Sequence, residues 1–440
     1  MKRTKNLAAF LLASALMLTT AVGCGGNSEG NGSEAEGNKT ANGYGDGTGT
    51  ITMWGWNAGE IEKIFDVYKE QTGADVELDY VTVQQAEAFQ KLQTTVSAGL
   101  DLPDVVPSEV GQRGTFLDLG IWDVLTEEPY NFDVDMVMDY YVPLISNADG
   151  KVVCLPFDIS TAALAYKKPL AEKYLGTSDP KALQEMLPTW DSFVEKGKEV
   201  QSASNGEVFM FASLTNIYQI GYGQNPDPII TDDGKLNMGP VDATLGLVEK
   251  FRDNKTADNI VESSPAYSAS YADDLHIFYP CASWSPNYQI APNDPEGIDR
   301  WGLMLPPEGC FSWGGSGFLI PTDAKNKLAG FNFCNWLLTK EGTVKSFETC
   351  MYFNCNKEAY EDPEFAQMKV ENFGDQNLGE ILFVDAIENI EVRPVTKYDV
   401  TINDVWTLVV EAMNSDASLN KEAAAEMFKT EVGNKAPDLA

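Results

Sequence analysis

The chain has 440 residues, a formal charge of −35 from 31 basic and 66 acidic side chains, a single histidine and seven cysteines. Such an acidic surface repels nucleic acid and anionic ligands at long range, which argues against DNA, phosphate and sulfate binders and leaves neutral solutes open. The lone His276 argues against His-rich metal sites and against a Ser-His-Asp triad, and no cysteine spacing matches a zinc pattern, so no metal or cofactor is expected.

Residues 1–23 read as a secretory signal. Lys2, Arg3 and Lys5 precede an apolar run from Leu7 to about Val22, interrupted only by Ser14, Thr19 and Thr20. A membrane span needs roughly 20 apolar residues, and this run is shorter and lacks a basic stop. Ala21-Val22-Gly23-Cys24 resembles a bacterial lipoprotein lipobox, with Ala where Leu is commoner. That resemblance implies that Cys24 becomes the diacylated first residue, and two acyl chains suffice for stable attachment. Residues 24–49 are then a flexible linker. After Cys24 they are rich in Gly, Ser, Asn and Glu, hold no large aliphatic side chain to offset chain entropy, and span roughly 25–30 Å.

The remaining stretch of about 390 residues is too long for one ordinary core and implies two domains. Thr50–Trp54 reads as a strand. Ile61, Ile64, Phe65 and Tyr68 form a helical stripe that stops near Gly73. Asp75–Val81 alternates as a strand, with Val76, Leu78 and Tyr80 on one face. Phe89, Leu92 and Val96 mark a second helix ending at Gly99, and Asp104–Val106 a short buried strand. This alternation implies an α/β domain with a mainly parallel sheet. Strands follow at Gly150–Pro156, Thr161–Tyr166 and Leu275–Tyr279, and a Gly-rich turn leads into an apolar strand over 311–320. Helices are expected at Trp190–Val200, Val241–Phe251, Leu328–Leu338, Val405–Met413 and Lys421–Thr430. Most of the cysteines other than Cys24 read as buried free thiols; Cys350 and Cys355 can pair.

Several strings, in order, resemble the extracellular solute-binding proteins of sugar-type ABC transporters, the group that includes maltose-binding protein. They are Thr52-Met-Trp-Gly-Trp56, Tyr68-Lys-Glu-Gln-Thr-Gly-Ala-Asp-Val76, Asp101-Leu-Pro-Asp-Val-Val106, Gly150-Lys-Val-Val-Cys-Leu-Pro156 through Leu164-Ala-Tyr-Lys167, Pro188-Thr-Trp-Asp-Ser-Phe193 and Trp336-Leu-Leu-Thr-Lys-Glu-Gly342. The resemblance spans about residues 50–430. It implies a two-lobed α/β periplasmic-binding-protein-like fold with hinge crossovers near Pro156, Gly314–Gly317 and Phe373–Gly379 and a ligand cleft between the lobes. Lobe I would comprise 50–155 plus 315–375, and lobe II 156–314 plus 376–440. The implied function is non-enzymatic: a monomer, tethered at the outer face of the membrane through Cys24, that captures a carbohydrate and passes it to the permease subunits of an ABC importer. A binding protein for a polyamine, peptide or other non-sugar solute is the alternative, and a secreted glycoside hydrolase a third reading.

A neutral sugar needs aromatic faces for its C–H surfaces and carboxylates or amides for its hydroxyls, and strand C-terminal ends present such groups. Trp54, Trp56 and Asn57 follow the first strand, with Trp56 and Asn57 favoured for ligand and one tryptophan expected in the core. Glu109 follows the Asp104–Val106 strand, and Asp158 follows the first crossover, where an apolar setting demands a hydrogen-bonding partner, either ligand or backbone. By the resemblance, Trp284 is a stacking platform. Trp313, Gly314 and Gly315 form the second crossover, where glycine permits close backbone approach. Tyr222 and Arg393 complete the candidates. Asp104 is expected to fix a local turn, Trp190 to support helix packing and Trp336 to lie in the core.

Overall fold

Alternation of Ile51 and Met53 with polar neighbours builds β1 (Gly49–Gly55), which pairs in parallel with β2 (Val76–Thr82), Gly49 opposite Val76 and Gly55 opposite Thr82. In the computed structural model, which describes residues 44–439 apart from 232, 263, 363 and 366, the two strands are joined by the helix Ala58–Thr72. The signal, Cys24 and nearly all of the linker lie outside the described residues. The helix buries Ile61, Ile64, Phe65 and Tyr68, the expected stripe. It ends at Gly73, whose φ of 68° is a left-handed cap that glycine adopts without a Cβ penalty. A second helix, Ala88–Ser97, buries Leu92 but turns Thr95 inward and leaves Val96 exposed, contrary to the expected stripe.

The next strand, β3 (Val106–Glu109), begins two residues later than expected. Asp104 is the reason. Its buried carboxylate accepts the backbone N–H groups of Thr52 and Asn326, which holds 104 and 105 in a turn and leaves Val105 a single parallel bridge to Met53. Further strands are β4 (Cys154–Pro156), β5 (Thr161–Lys167), β6 (Phe209–Phe211), β7 (His276–Ala282), β8 (Trp301–Met304), β9 (Phe311–Ser312) and β10 (Ser316–Leu319). Among the described residues two strand pairs are parallel, β1 with β2 and β6 with β7. The expectation of a mainly parallel sheet is corrected: β10 returns from the second lobe and inserts antiparallel between β3 and β4, and β5 pairs antiparallel with β7, β8 and β9.

The second lobe's sheet, β6-β7-β5-β8 with β9 on the end of β5, is buried on both faces. Ala163, Ala165, Tyr279, Cys281 and Leu303 face one way, into a core continuous with that of the first lobe. Leu164, Tyr166, Phe278 and Met304 face the other, against Phe193, Phe251 and Trp406 from the helices Trp190–Ala203, Met238–Asp253 and Asp399–Ser415. Period-two alternation with both faces covered explains why these strands read as unbroken apolar runs. Trp190 and Trp406 lie in this second core and Trp336 in the first. All six described cysteines are free, so no Cys350–Cys355 bridge forms; Cys355 is fully buried while Cys350 packs near the carbonyl of Glu60.

The lone histidine has a structural post at the start of β7. Buried His276 sits between two carboxylates, Nδ1 3.0 Å from Asp273 and Nε2 3.0 Å from Asp258, and Lys167 Nζ meets Asp273 at 3.0 Å. Two carboxylate partners require both ring nitrogens to donate, which is the imidazolium form. Burial opposes that charge, but the hydrogen bonds that the ring donates to Asp258 and Asp273 outweigh it and raise the histidine pKa. A raised folded-state pKa contributes stability in full below the unfolded value of about 6.5, and that contribution is lost as pH rises through the folded value. The urea midpoint is therefore expected to fall as pH is raised above neutrality, with a slope that His276→Gln removes. An unchanged slope in the variant would rule out this source.

Candidate functional site

Two crossovers run side by side between the lobes. Residues 157–160 lead from β4 to β5, and 313–315 lead from β9 to β10. They are stitched together: Phe157 N–H donates to Ser316 O (2.8 Å), Trp313 N–H to Ser160 O (2.9 Å), and the hydroxyls of Ser160 and Ser312 pair at 2.7 Å. The segment around 373–379, expected as a third crossover, is bonded to β8 and the turn before it. Asn372 bonds to Asp294 O, and the Gln376 amide brackets both backbone groups of Leu303 in β8.

A cleft opens over the crossovers in two compartments. The first, about 490 Å³, is bordered by Trp56, Asn57, Glu109, Asp158, Trp284, Trp313, Gly314 and Gly315, eight of the residues expected from the sequence. The second, about 400 Å³, holds Tyr222 and Arg393 and shares Glu109, Trp313 and Gly314 with the first. Trp54 borders neither. It is buried in the first core under Lys91 Nζ, 4.5 Å from its ring, whereas Trp56 lies past the end of β1 at Gly55 and borders the cleft. The ligand candidacy of Trp54 is thereby withdrawn.

The aromatic surface is held by backbone turns. Ser285 Oγ accepts the N–H of Ala282 and Ser283 Oγ donates to Ile159 O, which fixes the chain leaving β7 and presents half-buried Trp284. Its indole N–H donates to Trp313 O (3.2 Å), and the two indole rings lie 5.0 Å apart at 60°. A Cβ on Gly314 would come within 3.2 Å of that indole nitrogen. Gly315 is more constrained: its φ is 104°, and a Cβ would lie 2.5 Å from Tyr141 Oη and 2.9 Å from Ser160 Cβ. Gly315→Ala is expected to cost about 2–3 kcal/mol through strain and overpacking at this hinge. A urea midpoint equal to that of the parent would refute it.

The polar groups are held from below. Glu109 caps the helix Val110–Leu117, accepting the N–H of Gly111 at 2.9 Å, so it is a positioned carboxylate and not a solvated loop group. Asp158 accepts the N–H of Ser316 at the start of β10, so it meets backbone while also bordering the cavity. Burial pushes both carboxyls up, opposed by these N–H groups and by the charge of Arg113. Arg113 is fully buried and had no sequence signal. Its guanidinium donates to Leu144 O (2.9 Å), Ser108 O (3.2 Å), Ser108 Oγ (3.1 Å) and Gly315 O (3.3 Å), tying three segments together at the hinge. Asn57 donates to Tyr352 Oη at 2.6 Å, and the Tyr352 ring lies 4.8 Å from that of Phe157, tilted by 60°. Met351, Tyr352, Phe353 and exposed Tyr288 also border the first compartment, and the sequence reading missed them. Met351 adopts a left-handed φ of 59° as the cap of the helix Lys340–Cys350, which turns the segment Met351–Phe353 toward the cleft. In the second compartment Arg393 donates to Asn225 O and Tyr222 O and lies 3.5 Å over the Tyr222 ring.

Taken together, the site offers indole and phenol faces, carboxylates oriented by backbone, and a floor made of crossover segments that link two lobes. This suits a polar molecule with flat apolar faces bound without covalent chemistry. The sequence profile of a family described as bacterial extracellular solute-binding proteins matches residues 63–372. A lactose-binding protein of Rhizobium radiobacter is 23% identical over 388 residues, covering 82% of this chain and 86% of the relative. Among solved structures, an extracellular solute-binding protein of family 1 superposes with a TM-score of 0.78 at 19% identity, over 88% of this chain and 99% of the other. The galacto-N-biose/lacto-N-biose I-binding protein of a Bifidobacterium longum ABC transporter, solved with lacto-N-biose, gives 0.72 at 17% identity, over 89% and 97%.

Proposed function

The chain belongs to the bacterial extracellular solute-binding protein family, and from that premise we propose that it captures a mono- or oligosaccharide in the interlobe cleft and delivers it to an ABC importer. The observation that carries the sugar reading is the Trp284–Trp313 pair standing beside Glu109 and Asp158 in one compartment. Ring C–H faces dock on the indoles, and the carboxylates accept ring hydroxyls. The paired crossovers act as the hinge: the open form takes ligand, closure buries it, and the permease reads the closed shape. That curated and structural relatives bind lactose and lacto-N-biose supports the same solute class. Glu109 and Asp158 are each engaged by a backbone N–H, an arrangement that fits orientation of a ligand better than proton transfer.

Attachment through diacylated Cys24 is part of the proposal, because tethering raises the effective concentration of the receptor at the permease. Among the described residues no helix is long and apolar enough to cross a membrane. Cys24→Ser should abolish acyl labelling and membrane retention and leave solute affinity unchanged. The carbohydrate reading is tested by titrating the full chain with mono- and oligosaccharides, by calorimetry and tryptophan fluorescence. A response to a peptide, polyamine or metal with none to any sugar would sink it.

A further inference from the structure

We propose that the second compartment of the cleft recognises a protonated amine on the bound saccharide, so that the ligand is an amino sugar or an oligosaccharide carrying one; this rests on the carbohydrate reading above. The compartment continues from the tryptophan compartment past Glu109, Trp313 and Gly314, so a ligand seated on the indoles reaches into it. Three carboxylates from separate parts of the fold border it: Glu109 after β3, Glu262 ahead of the helix Pro265–Ser270, and Asp399 at the start of the helix Asp399–Ser415. Its one basic lining residue, Arg393, directs its guanidinium to two backbone carbonyls and not to a carboxylate.

The carboxylates are partly satisfied and retain acceptor capacity. An ionised carboxylate has about four acceptor sites. Glu262 receives the Gln219 side-chain amide at 3.1 Å, and Asp399 receives the N–H and hydroxyl of Thr396 at 2.8 and 2.7 Å. Gln219 borders the cavity, and its amide oxygen is buried without a hydrogen-bond partner. Burial pushes Glu262 up to about 7, against its bond from Gln219, and Asp399 up to about 6, against Thr396 and the charge of Arg393. Glu109 also feels the like charges of Asp158 and Asp399, offset by Arg113. Burial thus disfavours the charge on each carboxyl, and an arriving ammonium favours the ionised form. Among the described residues no three acidic, thiol or imidazole groups converge closely enough to hold a metal ion. Acceptors spread around a cavity with aromatic walls fit an organic ammonium, which can also lie against the Trp313 face.

The test is a calorimetric titration of the full chain with matched pairs of disaccharides, gluco- and galacto-configured, each as the free amine and as the N-acetylated form, with spermidine as a third probe. The amine form is expected to bind at least tenfold tighter than its N-acetylated partner at pH 7.5. That preference should shrink as pH falls to 5 and the carboxylates protonate. Glu262→Gln and Asp399→Asn should each reduce the preference at least threefold and spare binding of the N-acetylated form. N-acetylated or neutral sugars binding as tightly as the amine would overturn this inference and leave the carbohydrate reading standing. Binding of spermidine alone, or of none of the saccharides, would overturn both.

Discussion

Replacing Arg113 by methionine is expected to destabilise the protein by about 3–5 kcal/mol, the range seen when one partner of a buried charged network is removed. The side chain is fully buried, and methionine keeps much of the apolar stem while deleting all five donors. Leu144 O, Ser108 O and Gly315 O each lose a charged donor inside the protein, and a buried acceptor left unmet costs about 1–3 kcal/mol. Glu109 and Asp158 also lose the positive charge that favours their ionised forms, so their carboxyls should move further up. Arg113→Lys should recover only part of the loss, because an ammonium lacks the planar fork that reaches three segments at once. Urea unfolding followed by tryptophan fluorescence reads the effect. A loss below 1 kcal/mol in the methionine variant would mean that the hinge is held by the crossover backbone bonds alone.

Trp284→Ala should weaken binding of whichever sugar the titration identifies by about 30- to 100-fold, equivalent to roughly 2–3 kcal/mol. The indole supplies one of the large aromatic faces in the first compartment, and its N–H to Trp313 O sets the angle of the neighbouring one. Trp284→Phe keeps a face but not that bond, so it should fall between the parent and the alanine variant. Trp54→Phe is the matched control: Trp54 lies in the first core away from both compartments, and its replacement should shift the urea midpoint while leaving affinity within twofold. Equal losses at Trp54 and Trp284 would show that affinity follows general stability and not the cleft.

The contrast between these tryptophans marks how far the residues could be read in one dimension. Trp54 and Trp56 are identical in chemistry and flank the same glycine, and strand alternation alone would put both on one face; β1 ends at Gly55 between them, so alternation does not say which of them enters the core. Packing of Met53 and Ile51 against the first core, with Lys91 over Trp54, decides it. The helix Ala58–Thr72 was legible because four apolar residues at helical spacing and a terminal glycine agree. The helix Ala88–Ser97 was half legible, because three apolar residues leave the stripe free to rotate toward Thr95. β3 was misplaced by two residues because Asp104 is recruited by backbone groups 52 and 222 positions away, a partnership invisible to local pattern.

The sequence by itself determined the α/β alternation, the apolar runs of a doubly covered sheet, and the residue types at the strand ends, because each follows from periodicities of a few residues. It also carried enough ordered strings across the chain to point to the family. Only the tertiary structure decided that β10 runs antiparallel between β3 and β4, that the cleft has two compartments meeting at Glu109 and Trp313, and that Arg113, Tyr352 and Glu262 belong to the site or its floor. Those facts depend on contacts between segments tens to hundreds of residues apart. Their residues carry no local mark, since a buried arginine and an exposed one look alike until the carbonyls around them are in place.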